Sequence, residues 1–116
     1  MSITIYHNPR CSKSRETLAL LESHHIQPTI ELYLQHNYDV ETLQSIADKL
    51  GITDIRQMMR TKDELYKTLG LDNPSLTAQD LLNAIAQHPE LLERPIVVNG
   101  NKAKIGRPPE SVLAIL

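Results

Sequence analysis

The chain contains no Phe and no Trp, and its only aromatic side chains of that class are four Tyr. Leu, Ile and Val must therefore fill the interior. There is one cysteine in 116 residues, so no internal disulfide framework holds the fold. If that thiol is oxidised or modified in turnover, the resolving thiol has to come from another molecule. No apolar run approaches the length of a helical membrane span. The start Met1-Ser2-Ile3-Thr4 lacks a charged segment followed by an apolar signal core, so a cytoplasmic location is expected. Nor is there a basic excess: the net charge is −2 and the pI about 6.2. That argues against broad nucleic-acid binding, which needs a basic face, but leaves room for a local cationic pocket. At this length one domain, residues 1–116, with one modest core is expected.

What is present is concentrated around Cys11, in the run Ile5-Tyr6-His7-Asn8-Pro9-Arg10-Cys11-Ser12-Lys13-Ser14-Arg15. A short apolar strand leads into a polar turn, and the turn delivers the cysteine to the first turn of a helix. His7, Arg10, Lys13 and Arg15 all lie within four residues of it. A helix N-terminus and neighbouring cations both stabilise a thiolate, which is the nucleophilic form. A lone cysteine is often a small buried hydrophobe. Here the strand–turn–helix setting favours a reactive group. Ser14, one helical turn on, could donate a hydrogen bond to the thiolate or face solvent.

Ile3 and Ile5 alternate with Thr4 and Tyr6, a strand with period two. Residues 12–24 read as a helix with Leu18 and Leu21 inward. Ile30, Leu32 and Leu34 alternate with Thr29, Glu31 and Tyr33 and read as a second strand, parallel to the first. Asp39 is placed to cap a helix bearing Leu43, Ile46, Ala47 and Leu50, ended by Gly51. A short apolar piece with Ile55, Met58 and Met59 leads to Arg60, and residues 63–69 add a turn or two before Gly70. Thr77 and Asp80 have capping-box spacing for a helix ending near His88-Pro89. Pro95-Ile96-Val97-Val98 is a third strand, Asn99-Gly100 a hairpin signal, and Lys102 to Ile105 the return strand. Pro108-Pro109 opens a last helix with Val112, Leu113 and Leu116 apolar. Removing the helical block leaves βαβ-ββα. The fold expected is α/β: a thioredoxin-like four-stranded mixed sheet from about 1–36 and 93–116, with an inserted helical subdomain over about 37–92.

These residues resemble the glutaredoxin-coupled arsenate reductase family over essentially the whole chain. The resemblance rests on His7-Asn8-Pro9-Arg10-Cys11-Ser12-Lys13-Ser14-Arg15, Leu32-Tyr33-Leu34, Arg60 after two Met, Arg94-Pro95-Ile96-Val97-Val98 and Gly106-Arg107-Pro108, in that order. It implies that Cys11 is the nucleophile and that Arg60, Arg94 and Arg107 bind an oxyanion. It also implies that His7 helps keep the cysteine ionised and that the Arg94–Pro95 peptide is cis. The implied activity is reduction of arsenate to arsenite with glutathione and glutaredoxin, with no bound cofactor or metal. Ser12-Lys13 stand where better-known members have a small residue after the cysteine, and the chain stops at Leu116 where they carry a tail. It thus resembles a shorter branch.

Single surface arginines are commonly just solvated charges. Arg94 before a proline and Arg107 between Gly106 and Pro108 are sites of constrained backbone, and guanidinium forks suit tetrahedral oxyanions. Ser14 and Arg15 are further candidate substrate-binding residues. Arg10 only raises the local potential. Phosphate or sulfate, similar in shape to arsenate, is expected in the same pocket. His24, His25, His36 and His88 have no metal-ligand spacing with Cys11. Two other readings stay open: a glutathione-linked thiol-redox protein without appreciable arsenate activity, and a regulatory binding module like the Spx-type partners of RNA polymerase, which share the fold. The latter often carry Cys-x-x-Cys, and Ser14 occupies the second position here. Small size without a clear apolar patch favours a monomer with no nucleic-acid or membrane partner.

Overall fold

The computed structural model describes residues 2–116. Four strands form one mixed sheet: β1 (Ile3–Tyr6), β2 (Thr29–Glu31), β3 (Ile96–Asn99) and β4 (Lys102–Ile105), in the order β2-β1-β3-β4. β1 and β2 are parallel, joined through helix α1 (Ser12–Ser23). β1 pairs antiparallel with β3, and β3 with β4. Helices α2 (Val40–Leu50), α3 (Glu64–Thr68) and α4 (Ala78–Gln87) lie between β2 and β3, with short 3-10 turns among them. This is the thioredoxin-like α/β architecture expected from the element order.

The period-two pattern of the strands decides which residues face which layer. Ile5 sits opposite Val97, and Tyr6 opposite Ile96. Ile3, Ile5 and Val97 pack on one face with Leu21 of α1 and Val112 of the C-terminal 3-10 segment (Pro109–Ile115). Ile96 and Ala103 pack on the other face in the larger cluster, with Leu43, Ile46, Leu81, Leu82 and Ile85 of α2 and α4. Local chemistry fixes the helix ends. Asp39 Oδ1 accepts from the Thr42 N–H at 2.7 Å, and Gly51 closes α2 with φ of 70°. Thr77 and Asp80 satisfy each other's backbone N–H, a complete capping box even with Asp in the reaching position.

Three expectations are corrected. The second strand ends at Glu31, and residues Tyr33–Gln35 turn as a 3-10 helix. The inward residue there is Tyr33, 1% exposed, while Ile30 and Leu34 are 47% and 45% exposed. At a sheet edge the alternation of Ile and Leu did not mark the buried side; the largest side chain did. The hairpin's central pair is Gly100-Asn101, since Asn99 pairs with Lys102. Gly100 alone has positive φ there, at 63°, as a type II′ turn requires at its first central position. The last segment is 3-10 rather than α-helical, with Val112 buried and Leu113 and Leu116 exposed.

Gly106 is needed for steric reasons. A Cβ there would lie 2.6 Å from Thr17 Oγ1 and 2.8 Å from Pro95 Cγ. The chain passes between α1 and Pro95, held by the Gly106 N–H to the Pro95 carbonyl at 2.9 Å. Gly106→Ala is expected to destabilise the fold by about 1–3 kcal/mol. A denaturation midpoint unchanged from wild type would contradict that close approach.

Candidate active site

Cys11 is the N-cap residue of α1, with extended backbone angles. The turn before it is tightly braced. The His7 N–H donates to the Glu31 carbonyl at 2.8 Å, tying the end of β1 to β2. The Cys11 N–H donates to the Asn8 carbonyl, and the Arg10 N–H to Asn8 Oδ1, each at 3.0 Å. Ser14 is fully buried; its hydroxyl accepts from the Asn8 N–H at 3.0 Å and lies 2.7 Å from His7 Nδ1. The Ser14 hydroxyl therefore serves the turn rather than the sulfur, to which Ser14 contributes its backbone N–H.

The electrostatics of the thiol are a contest. Burial pushes its pKa up. The Ser14 N–H, the nearby Arg94 guanidinium and the Lys13 N–H pull it down, and the net result is a lowered value. Arg107 Nη1 also reaches Sγ, at 4.0 Å, the outer limit of an N–H···S contact. Arg107 is exposed and its charge is screened, whereas the Arg94 side chain is only 14% exposed. The more buried guanidinium is the stronger influence on the sulfur. His7 is held towards its neutral form, by burial first and by the Arg15 charge second. A buried neutral imidazole bonded to Ser14 orders the turn; it does not supply a positive charge.

Arg60, Arg94 and Arg107 come from three separate segments, and backbone pairing gathers them. Met59 bridges Leu92, the Glu93 N–H donates to the Met58 carbonyl at 2.7 Å, and the Arg60 N–H donates to the Leu91 carbonyl at 2.8 Å. Met58, Met59, Leu91 and Leu92 are all buried beneath this stitch. Both Arg94–Pro95 and Arg107–Pro108 are cis peptides; only the first was expected. Arg107 Nη1 also donates to the Arg94 carbonyl at 3.4 Å. The three arginines line one cavity of about 340 Å³ with Thr61, Lys62, Asp63 and Glu93. Cys11 does not itself line this cavity; it is linked to it by its 4.0 Å contact with Arg107.

Other cations near Cys11 in sequence are directed elsewhere. Arg15 Nη1 donates to the Pro9 carbonyl at 3.0 Å, bracing the turn rather than lining the cavity. Lys13 pairs with Glu16 at 3.4 Å on the exposed face of α1. Three neighbours escaped sequence reasoning. Asp63 pairs with Arg60 at 3.5 Å and Glu93 with Arg94 at 3.2 Å. The third is Tyr33, whose phenol is pushed up to about 12, chiefly by burial, with Arg94 and Arg60 opposing and the Cys11 charge adding. It therefore stays an O–H donor beside the site.

The family match follows this geometry. Residues 6–115 match the ArsC family. The chain belongs to that family. It is similar to an arsenate reductase of Haemophilus influenzae, 71% identical over 116 residues and covering 100% of both chains. A Neisseria meningitidis arsenate reductase is 54% identical over 114 residues, covering 98% of this chain and 97% of the relative. Among solved structures, an arsenate reductase from Vibrio cholerae superposes with a TM-score of 0.98 at 53% identity, covering 100% of this chain and 98% of that one.

With the thiol pKa lowered, the thiolate persists to lower pH than in a free thiol. The rate of Cys11 alkylation by iodoacetamide is expected to rise with pH through an inflection below about 8.5. An inflection at or above that value would contradict the cationic setting.

Proposed function

We propose that this protein reduces arsenate to arsenite, with Cys11 as the nucleophile and with glutathione and glutaredoxin as the source of electrons. The observation that carries the reading is a single thiol with a lowered pKa, 4.0 Å from a guanidinium that lines a cavity with two others. The arsenate reductase names of relatives matched along the full chain support the same reaction.

Arsenate carries one to two negative charges near neutral pH, so a thiolate alone would repel it. Arg60, Arg94 and Arg107 offset that repulsion and stabilise charge built up in the transition state. Arg94 Nε is buried and has no hydrogen-bond partner among the described residues. Such an orphaned donor costs about 1–3 kcal/mol, and an oxyanion oxygen would relieve it. The Cys11 sulfur attacks arsenic, a sulfur–arsenic bond forms, and hydroxide departs with a proton as water. Arsenic remains pentavalent in this step. A glutathione thiol then displaces a second hydroxyl as water. Attack by the glutaredoxin thiolate on the glutathione sulfur breaks that sulfur–arsenic bond. Its electron pair stays on arsenic, which becomes trivalent, and a glutaredoxin–glutathione mixed disulfide forms. Hydrolysis of the Cys11–arsenic bond releases arsenite and restores the thiol. His7 and Ser14 hold the turn that aims the sulfur; Pro95 and Gly106 fix where Arg94 and Arg107 emerge.

A coupled assay with arsenate, glutathione, glutaredoxin, glutathione reductase and NADPH should show arsenate-dependent NADPH consumption by wild type and none by Cys11→Ser. Arg94→Ala is expected to lower turnover by roughly a hundredfold or more while the melting temperature falls little. Turnover that survives Cys11→Ser would reject the mechanism. Absent turnover by a folded wild type, with glutathionylated substrates still processed, would establish the thiol-redox alternative instead.

A further inference from the structure

Glu93 is a carboxylate built into a cavity otherwise dominated by guanidinium groups. Its side chain is 23% exposed, and it lines the cavity with Arg60, Arg94 and Arg107. One oxygen, Oε1, accepts from Arg94 Nη1 at 3.2 Å and from the Arg94 N–H at 3.4 Å. The other, Oε2, accepts no hydrogen bond among the described residues. The Glu93 N–H is fixed on the Met58 carbonyl at 2.7 Å, so its backbone cannot easily swing away. The carboxylate positions the most buried arginine, and its charge also weakens the pocket's pull on anions in general.

We propose that Glu93 is a specificity-determining residue that admits oxyanions carrying a proton and rejects those carrying none. This rests on the oxyanion-reducing function proposed above. Arsenate and phosphate near neutral pH still hold at least one hydroxyl, which donates to the carboxylate while their charged oxygens take the arginine donors. Sulfate has the same shape but is fully deprotonated. Bound there, it would set an oxygen against the Glu93 carboxylate with no proton between them, and Glu93 would also be deprived of water. A site built to accept a hydrogen bond discriminates strongly against an analogue that cannot donate one. Sulfate, similar in outline, is therefore a poor ligand, not an equal one.

Isothermal titration of the reduced full-length protein with inorganic phosphate, arsenate and sulfate at neutral pH tests this. Phosphate and arsenate are expected to bind at least about tenfold more tightly than sulfate. Glu93→Gln, whose amide can donate to a bare oxygen, should shrink that ratio mainly by tightening sulfate. Glu93→Asp should keep much of it. Sulfate binding as tightly as phosphate to wild type would overturn the proposal while leaving arsenate reduction standing, since turnover is read separately. A wild-type preference that Glu93→Gln leaves intact would also overturn it. No binding of any of the three would overturn both this assignment and the oxyanion pocket itself. The wild-type comparison needs no variant, so a misfolded Glu93→Gln leaves the first test decisive.

Discussion

The site depends on easing the ionisation of one sulfur atom in a place where burial alone would resist it. Desolvation raises the Cys11 pKa, and it is overcome only because two backbone N–H groups of α1 and the Arg94 guanidinium act on the same atom. The helix terminus supplies the N–H groups without side-chain entropy cost, because their direction is set by the backbone. The guanidinium has to be carried in from 83 residues away in sequence (94 − 11). Much of the fold serves that delivery.

The delivery is done by backbone and by small residues more than by large contacts. β1 and β3 lie side by side in the sheet, so the turn after β1 and the entry to β3 meet at one end. The stitch between residues 58–60 and 91–93 brings Arg60 to the same place from the helical segment. Gly106 lets the chain after β4 squeeze between Thr17 and Pro95, which puts Arg107 over the sulfur. The two carboxylates then temper the result. The cavity's charged lining of Arg60, Lys62, Arg94, Arg107, Asp63 and Glu93 sums to +2, from four positive and two negative groups. The arginines are held in place by partners before any anion arrives, so less ordering is needed on binding.

The Cys11 turn was legible because its signals are local: alternation, a polar turn and cations within a few residues. The strands, the α2 and α4 caps and the sheet content were legible for the same reason. The grouping of Arg60, Arg94 and Arg107 was not readable from spacing. It came from resemblance, because long-range pairing such as Met59 to Leu92 leaves no periodic trace. Local charge was misleading where partners compete. Arg15 and Lys13, close to Cys11 in sequence, are taken up by Pro9 and Glu16. Tyr33 was grouped with the polar side of a longer strand, but the strand ends at Glu31 and Tyr33 begins a 3-10 turn, where period-two alternation does not apply. Asp63 and Glu93 did leave a signal, an acid three residues after one arginine and an acid just before another. Those spacings are common on any surface and mark a site only once the cavity is seen.

The most direct test of the central claim is an ultraviolet titration of the Cys11 thiolate in wild type and in Arg94→Gln. The chain has no other cysteine, so once the rise from its four tyrosines is subtracted with a Cys11→Ser control, the signal belongs to one atom. The variant is expected to titrate at clearly higher pH than wild type, because it keeps the burial and the helix N–H groups but loses the charge. Identical titration curves for the two proteins would contradict the account, since the sulfur would then owe its ionisation to the helix terminus alone.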